Sequence, residues 1–257
     1  MAGSAPWGAG PLAAPPPMLP AVIDRVLRAT PRSALLQVAI ARPFAFSAGQ
    51  AVLIGATGSG IKRPYSIAVG PHEAARTGHL EFLMGLGADG TPGPHLPSLA
   101  PGTAVEIDGP IGTFRYPDRM DEPAVLFVAG GSGIAPLRAM LHEALSAPEA
   151  PGVSLLYSAR TAEEFAFDDE LTALARDGRI RYGKTATREN GAMWQGRRGR
   201  ISRADLEAVV ARPAETLCFV CGPDALVHEV PRMLREIGVT PDRIRVEEWA
   251  ASRGPTP

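Results

Sequence analysis

The sequence predicts two domains of different classes: a barrel or sandwich of antiparallel strands, followed by an α/β domain with a parallel sheet. Apolar residues alternate along the first part of the chain, as they do in half-buried strands. Beyond that part, apolar runs alternate with segments of helical spacing. A polar segment at residues 117–123, with a proline at each end, separates the two patterns. A chain of 257 residues is long enough for each half to bury its own core.

Short strands and frequent turns characterise the first half, which we place at residues 20–118. Leu80, Phe82 and Met84 lie two residues apart, which is the spacing of side chains on one face of a strand. Turn-forming pairs such as Gly70-Pro71 interrupt the strands, and no helix of ordinary length is expected between them. This pattern indicates a barrel or a sandwich.

The second half, residues 121–250, alternates strands with helices, and a short tail at residues 251–257 follows it. The predicted strands are Ala124–Ala129, Val153–Tyr157, Arg179–Thr185, Leu217–Cys221 and Ile244–Glu247. The predicted helices are one that carries Leu137 to Leu145, then Asp168–Arg176, Arg203–Ala211 with Ser202 as its N-cap, and Asp224–Ile237. Alternation of this kind implies a parallel sheet that is covered on both faces.

The composition is that of an ordinary globular protein. Hydrophobic residues make up 45%, the formal net charge is −1, and basic and aromatic residues do not interleave, so nothing indicates nucleic-acid binding. No apolar run is long enough for membrane insertion. The opening residues, 1–19, are rich in Ala, Pro and Gly and lack the charged start and apolar centre of a signal peptide. We therefore expect a disordered lead and a cytoplasmic protein.

Metal and dithiol chemistry are not expected. The five histidines are scattered without metal-ligand spacing, and two cysteines cannot supply the four thiolates of an iron–sulfur cluster. Cys218 and Cys221 lie three apart in a predicted strand, so their side chains point to opposite faces. An electron acceptor with a metal cluster must therefore be a separate molecule.

A glycine-rich turn, Gly130-Gly131-Ser132-Gly133, joins the first strand of the second half to its first helix. Glycines let the backbone approach a phosphate closely, and the helix N-terminus adds N–H donors and a favourable dipole. Ligands of parallel sheets bind at the carboxyl ends of the strands, where this turn lies. Pro136 suits the first turn of that helix. The turn indicates a dinucleotide site, and a plain tight connection is the alternative.

The end of the second strand bears on the choice of nucleotide. It reads Ser158-Ala159-Arg160, with no acidic residue before Glu163. An acid there would hold the ribose hydroxyl of NAD, whereas an arginine suits the extra phosphate of NADP. Arg188 and the cluster Arg197-Arg198-Gly199-Arg200 add cations that bind phosphate as forks. The pattern favours NADP(H) over NAD(H), with a solvated basic loop as the alternative for any single arginine.

A second motif, Arg63-Pro64-Tyr65-Ser66, lies in the first half at the end of an alternating, strand-like region. It combines a cation, an aromatic ring and a small hydroxyl group. With the glycine-rich turn, it suggests two ligands with phosphates and flat rings that meet face to face. A flavin that takes hydride from a nicotinamide would be such a pair.

These motifs resemble those of the plant-type ferredoxin–NADP reductase superfamily, which also includes reductase components of bacterial oxygenases. Arg63–Ser66 resembles its flavin motif and Gly130–Pro136 its nicotinamide motif. Phe219–Pro223 resembles its Cys-Gly-Pro segment, and Arg245–Trp249 its carboxy-terminal segment beside the flavin. The resemblance covers nearly the whole chain. It implies an antiparallel Greek-key β-barrel that binds FAD, followed by a Rossmann-like α/β domain that binds NAD(P).

The resemblance also implies roles for individual residues. Ser66, Cys221 and Glu247 are the implied catalytic residues, lining the contact between the nicotinamide and flavin N5. The residues implied to hold the flavin are Arg63, Pro64, Tyr65, Ser66, Ile67, Ala68, Gly90, Thr91, Gly93 and Trp249. The residues implied to hold the nicotinamide nucleotide are Gly131, Ser132, Gly133, Pro136, Ser158, Arg160, Arg188, Arg197, Cys221, Gly222 and Pro223. No metal site is implied.

Within the flavin set, Arg63 would pair with the diphosphate, Tyr65 would lie against the isoalloxazine ring, and Ser66 would hydrogen-bond near N5. One residue departs from the family pattern: Gly93 stands where the family often has a serine or threonine that caps the diphosphate. FAD is the flavin that the resemblance implies, and this departure leaves FMN as the alternative. His95, beside this turn, is expected to be an exposed loop histidine.

The expected protein is an NAD(P)H-dependent FAD oxidoreductase. It would move hydride between NAD(P)H and the bound flavin, and then electrons to or from a separate acceptor. That acceptor would be a carrier protein, such as ferredoxin, flavodoxin or an oxygenase component, or a small molecule. The alternatives are an NAD(P)H:flavin reductase, which uses flavin as a substrate, and a non-catalytic sensor or subunit that binds flavin or nucleotide. The sequence leaves the oligomeric state and the direction of electron flow open.

Overall fold

A computed structural model describes residues 18–189, 191, 194 and 196–248. Most of the expected lead, the tail and Trp249 lie outside the described residues. The described residues form two six-stranded sheets, an antiparallel one from residues 19–111 and a parallel one from residues 124–248. The predicted fold class is confirmed, whereas the domain boundaries stay predictions.

The antiparallel sheet closes into a barrel. Its strands are β1 (Leu19–Thr30), β2 (Ser33–Ile40), β3 (Ala51–Ala56), β4 (Arg63–Ser66), β5 (His79–Gly85) and β6 (Ala104–Ile111). Their order is β4-β3-β6-β1-β2-β5, in which β6 lies between the hairpins β3-β4 and β1-β2 in the Greek-key manner. An antiparallel bridge from Ile67, which follows β4, to Phe82 in β5 joins the two edges. Closure lets alternate side chains of every strand share one apolar core.

Two features of the barrel differ from the expectation. Pro71, predicted to lie in a turn, begins a short helix, α1 (Pro71–Thr77), because the first helical position needs no N–H donor. β1 begins at Leu19, and Leu19 is buried. A register shift in β1 between Ile23 and Arg25 interrupts the alternation, which conceals the second half of this strand in the sequence.

The parallel sheet is doubly wound. Its strands are β7 (Ala124–Gly130), β8 (Gly152–Ala159), β9 (Arg181–Ala186), β10 (Arg197–Arg198), β11 (Thr216–Gly222) and β12 (Ile244–Glu248). Its helices are α2 (Ile134–Ser146), α3 (Asp168–Arg176), α4 (Arg203–Val209) and α5 (Asp224–Glu236). The order β10-β9-β8-β7-β11-β12 puts the topological switch point between β7 and β11, where ligands of such sheets bind.

Local signals account for the helix ends. α3 begins at Asp168 and ends at Arg176, as predicted. Three acidic residues in its first turn and Arg176 in its last turn interact favourably with the helix dipole. Ser202 caps α4 as predicted, in a reciprocal capping box with Asp205. The helix ends at Val209, two residues before the expected end.

β11 contributes to a separate core on each of its faces. Cys218 packs in the cluster that α5 covers, and Cys221 in the cluster that α2 covers. Both thiols are buried. The prediction that they point to opposite faces is confirmed.

The barrel and the α/β domain share an apolar core. Phe114 and Tyr116, which follow β6, contact the ring of Phe219 in β11, with ring centroids 5.7 and 6.0 Å apart. Phe127 in β7 stacks on the same ring with centroids 5.6 Å apart. The four aromatic side chains are buried, so their packing fixes the two domains against each other.

Arg138 of α2 adds a polar link between the domains. Its Nη1 donates to the carbonyl oxygen of Ala68 and to Oε2 of Glu81, both at 2.7 Å. Its Nε and Nη2 bind the carboxylate of Glu170 in α3 at 2.8 to 3.0 Å. The guanidinium also lies 4.5 Å from the centroid of the Phe167 ring. Arg138 therefore holds the backbone two residues beyond Ser66.

Candidate functional site

The glycine-rich turn is packed so tightly that two of its positions exclude a side chain. A Cβ at Gly133 would lie 2.3 Å from the carbonyl oxygen of Cys221, and one at Gly130 would lie 2.7 Å from Pro223 Cδ. Gly131 has φ +54° and faces open space. The turn therefore lies directly on the end of β11 and presents Gly131 outward, as close approach to a phosphate requires.

A cleft of about 840 Å³ opens at this switch point. Seven of the predicted nucleotide residues line it: Gly131, Ser132, Ser158, Arg160, Arg188, Gly222 and Pro223. The barrel supplies the facing wall with Thr30, Arg32, Leu83 and Leu86. The cleft is thus enclosed by both domains and has the size of a site for a nucleotide.

Tyr157 fixes the shape of the cleft floor, and sequence reasoning missed it. Its ring is buried, and its hydroxyl donates to the carbonyl oxygen of Gly131 at 2.9 Å. The same hydroxyl accepts from the N–H of Ala166 at 3.3 Å. Nothing in the local sequence indicates this role, because the three residues meet only after β7 and β8 pair.

The predicted arginines fall into two groups. Arg160 and Arg188 both line the cleft and are exposed, and the backbone N–H of Arg188 donates to the carbonyl of Arg160 at 2.7 Å. Arg197 does not line the cleft; it forms an ion pair with Asp205 and donates to Ser202 Oγ. Arg200 lines the cleft and pairs with Glu229 at 2.8 Å. The structure therefore brings Arg160 and Arg188 together and leaves Arg197 apart.

Pro136 and Trp249 are two further residues of the predicted nucleotide and flavin sets. Pro136 is buried in the first turn of α2, as its conformation favours, and does not line the cleft. Trp249 lies outside the described residues, so its role beside the flavin stays a prediction.

Cys221 and Glu247 form a pair at the carboxyl ends of adjacent strands. They face each other in the register of β11 and β12, and Cys221 Sγ donates to Glu247 Oε2 at 3.9 Å. Burial raises the pKa of Glu247 to about 7, although the Cys221 hydrogen bond opposes the rise. A carboxyl group that titrates near neutrality thus lies beside the thiol predicted to contact the nicotinamide.

The flavin motif occupies β4, where Arg63 pairs with Ile54 and Ser66 with Ala51 of β3. Ser66 is 3% exposed, and its Oγ has no hydrogen-bond partner among the described residues. A buried hydroxyl without a partner is costly, which indicates that a ligand satisfies it. This atom and the Arg63 cation of the same strand are groups that a flavin nucleotide could use.

Ile67 and Ala68 use their backbone groups in contacts within the protein, and their role in holding the flavin stays a prediction. The N–H of Ile67 donates to the carbonyl of Gln50 at 3.0 Å, and that of Ala68 to the carbonyl of Glu81 at 2.8 Å. The Ala68 carbonyl accepts from Arg138. These polar groups hold the barrel seam and the domain contact, so neither N–H is directed at a ligand.

The burial of His95 contradicts the prediction made from the sequence. It was predicted to be an exposed loop histidine, but it is fully buried. Its Nε2 lies 3.0 Å from the Tyr65 hydroxyl, and the two rings stack with centroids 5.6 Å apart. Burial raises the pKa of Tyr65 to about 12, so the hydroxyl stays protonated. A contact between residues 30 positions apart leaves no local signal, and the prediction therefore failed.

The turn that carries Gly90, Thr91 and Gly93 is built on glycine geometry. Gly90 has φ +77° and Gly93 φ +120°, conformations that L side chains rarely adopt. Thr91 donates from its N–H and from Oγ1 to the Asp89 carboxylate, at 3.1 and 2.9 Å. The Thr91 hydroxyl hydrogen is therefore used in a hydrogen bond within the turn. The role of these three residues in holding the flavin stays a prediction.

Two family models match the chain, one to each domain. The oxidoreductase FAD-binding domain matches residues 29–116, and the oxidoreductase NAD-binding domain matches residues 127–231. The barrel, the doubly wound sheet and the cleft between them thus define an oxidoreductase that uses FAD and a nicotinamide nucleotide.

Similarity to curated proteins identifies the family within this class of oxidoreductases. The chain is 35% identical over 218 residues to ferredoxin--NADP reductase B of Sorangium cellulosum, covering 81% of this chain and 87% of that protein. It is 30% identical over 213 residues to an NADPH oxidoreductase of Mycobacterium tuberculosis, covering 82% of this chain and 54% of the relative. The chain belongs to the ferredoxin–NADP reductase superfamily.

Solved structures agree with this fold. A cytochrome P450 reductase from Amycolatopsis superposes with a TM-score of 0.79 at 26% identity, covering 93% of this chain and 72% of that one. A ferredoxin NADP+ reductase from Neisseria gonorrhoeae with bound FAD and NADP superposes with a TM-score of 0.75 at 24% identity, covering 90% and 98%.

The part of the chain that the structure describes shows neither a membrane-spanning helix nor a metal-binding group of side chains. Among the described residues, no helix combines the length and the apolar character needed to cross a bilayer. Within that same part of the chain, no three His, Cys, Asp or Glu side chains are grouped as a metal ion would require. The expected cytoplasmic location stays a prediction.

Proposed function

We propose that this protein transfers hydride between NAD(P)H and a bound FAD, and exchanges electrons with a separate acceptor. The observation that carries the proposal is the cleft at the switch point, which is walled by both domains and has Cys221 and Glu247 at the adjacent strand ends. Bound FAD would accept hydride from the nicotinamide and release electrons to the acceptor.

The residues of the chain would bind and orient the two ligands. Arg63 supplies positive charge to the flavin phosphates, and Tyr65 offers an aromatic face. Ser66 Oγ, buried without a described partner, would hydrogen-bond the flavin at the edge that faces the nicotinamide. Cys221 would pack against the nicotinamide, and the Glu247 carboxyl would hold a proton nearby at neutral pH.

For the nucleotide, we favour NADP(H). Arg160 and Arg188 stand exposed at the rim of the cleft, at the strand end where an acid would select NAD. The similarity to a ferredoxin--NADP reductase supports the same choice. Replacing both with alanine should raise the KM for NADPH about 10-fold or more and leave that for NADH within about twofold. Arg203→Ala, on the exposed surface of α4, is the control.

For the acceptor, we favour a carrier protein such as ferredoxin. The chain holds two cysteines, too few for a cluster of its own, and relatives include a ferredoxin reductase and the reductase component of a naphthalene dioxygenase system. A screen of acceptors added to the NADPH-reduced protein tests this choice, and it would also detect flavodoxin, an oxygenase component or a small oxidant.

The decisive experiment is anaerobic reduction of the purified protein. The protein should retain FAD through desalting, be yellow, and bleach on addition of NADPH faster than with NADH. Equal rates would remove the preference for NADP(H). A protein that loses its flavin on desalting but turns it over would be a flavin reductase. A yellow protein that neither nucleotide bleaches would be a sensor, and the proposal would be wrong.

A further inference from the structure

The imidazole of His95 has one ring nitrogen that nothing in the described chain satisfies. The residue is fully buried, its Nε2 lies 3.0 Å from the Tyr65 hydroxyl, and its Nδ1 has no hydrogen-bond partner among the described residues. Buried polar atoms are almost always paired in native proteins. The orphaned atom lies next to the flavin motif, so a flavin is the ligand it is placed to meet.

Nδ1 also lies close to the position at which the flavin turn lacks a hydroxyl. A Cβ built on Gly93 would be 3.7 Å from Nδ1. Gly93 has φ +120°, so a serine could not adopt this backbone without strain. The side-chain donor expected at residue 93 is therefore missing for a structural reason, and His95 reaches the same place from two residues along the chain.

The surroundings make Nδ1 a suitable donor to an anion. Burial, and then the nearby Arg63 charge, lower the pKa of His95 to about 4, so the ring is neutral at physiological pH. When the Tyr65 O–H donates to Nε2, the single ring proton lies on Nδ1. A neutral N–H donor next to a guanidinium suits a phosphate oxygen.

We propose that His95 donates from Nδ1 to a phosphate of the flavin nucleotide and takes the place of the hydroxyl that Gly93 lacks. The inference rests on the proposed function, because it assumes that a flavin nucleotide binds at β4. It adds that the site recognises the phosphate through His95, with Tyr65 fixing the tautomer of the ring.

Flavin affinities of the apoprotein test this inference. FAD, FMN and riboflavin are titrated into wild type and His95→Phe, which keeps an aromatic ring, and binding is followed by quenching of flavin fluorescence. The variant should lose about 10- to 100-fold in affinity for FAD and FMN, as expected for a hydrogen bond to a charged group. The change for riboflavin, which has no phosphate, should be under about threefold.

Two amide variants separate the ring nitrogens. In His95→Asn the amide nitrogen lies near the position of Nδ1, whereas in His95→Gln it lies near that of Nε2. His95→Asn should recover part of the lost FAD affinity and His95→Gln should not. This comparison also decides the matter if His95→Phe does not fold, as judged by circular dichroism of the apoprotein, or if riboflavin binds too weakly to titrate.

Several outcomes would overturn the inference. Unchanged FAD affinity in His95→Phe, an equal loss for all three flavins, or equal behaviour of the amide variants would reduce His95 to a packing residue. If wild type binds FAD and is bleached by NADPH while His95→Phe binds equally well, this inference alone fails. If wild type binds none of the three flavins, the proposed function fails with it.

Discussion

Removing the guanidinium of Arg138 should destabilise the protein by about 3 kcal/mol. This side chain is 14% exposed and binds Glu81 and Glu170, which are 13% and 30% exposed, as well as the Ala68 carbonyl. Arg138→Met keeps most of the apolar stem but leaves two largely buried carboxylates without their cation. Breaking a buried pair in this way costs about 3–5 kcal/mol, because the remaining charge is uncompensated.

The lowered pKa of Glu170 shows that the fold stabilises its ionised form, through His142 as well as Arg138. Burial opposes its ionisation, but hydrogen bonds from His142 and Arg138 outweigh burial and lower the pKa from 4.5 to about 2. At about 1.4 kcal/mol per pKa unit, this shift corresponds to roughly 3 kcal/mol of stabilisation. Because the folded-state pKa is lowered, that stabilisation is present above about pH 4.5 and is lost as the pH falls toward 2.

Urea unfolding at pH 7 measures the effect, with Arg232→Met as the matched control. Arg232 forms an exposed helical ion pair with Glu236, at 60% and 41% exposure, so its loss should cost under about 0.5 kcal/mol. Between pH 5 and 2 the wild type should lose stability more steeply than Arg138→Met. The reasoning is refuted if Arg138→Met costs no more than Arg232→Met, or if the two pH profiles are parallel.

Three further predictions concern the site itself. Glu247→Gln should be more stable than wild type by up to about 2 kcal/mol above pH 8, because burial penalises the ionised carboxylate. The difference should grow as the pH rises from 4.5 through 7, and urea unfolding at a series of pH values measures it. Gly133→Ala should lower the free energy of unfolding by about 3 kcal/mol and abolish nucleotide binding, because the new Cβ would meet the Cys221 carbonyl. Gly131→Ala should lower it by about 1 kcal/mol, and calorimetry measures both variants. Ser66→Ala should retain FAD but slow flavin reduction about 10-fold in stopped flow, because one hydrogen bond to the flavin is lost.

Each of these has its own opposing result. A constant difference between Glu247→Gln and wild type across pH would mean that this carboxyl does not titrate near neutrality. Equal costs at the two glycines would contradict the tight packing of the turn. For Ser66, the control is Ser154→Ala, a buried serine of β8, and an equal effect in the two variants would remove the proposed contact.

Much of the α/β domain could be predicted from sequence because its signals are local. α3 starts and ends at the predicted residues, since its acidic first turn and Arg176 satisfy the helix dipole. Ser202 and Asp205 lie three residues apart and cap the same helix. Buried parallel strands such as β11 read as continuous apolar runs, which makes them visible without alignment.

The rest could not be predicted, because it depends on residues that meet only in the fold. β1 is concealed by a register shift, and the role of Tyr157 depends on strand pairing. Arg138 reads in the sequence as an ordinary helix residue, although it contacts a carboxylate 57 positions before it. His95 was expected in solvent because no local pattern indicates that Tyr65 would cover it.

The aromatic packing of Phe114 and Tyr116 against Phe219 has a consequence for how the molecule works. Domains joined by small polar contacts hinge readily, whereas an interface continuous with the interior resists rotation. The gap between the barrel and the nucleotide turn is therefore set when the chain folds, and loading with a nicotinamide nucleotide needs no closing motion. The radius of gyration in solution should then be the same with and without nucleotide, and exchange of ligands should be governed by side-chain and loop movements at the rim.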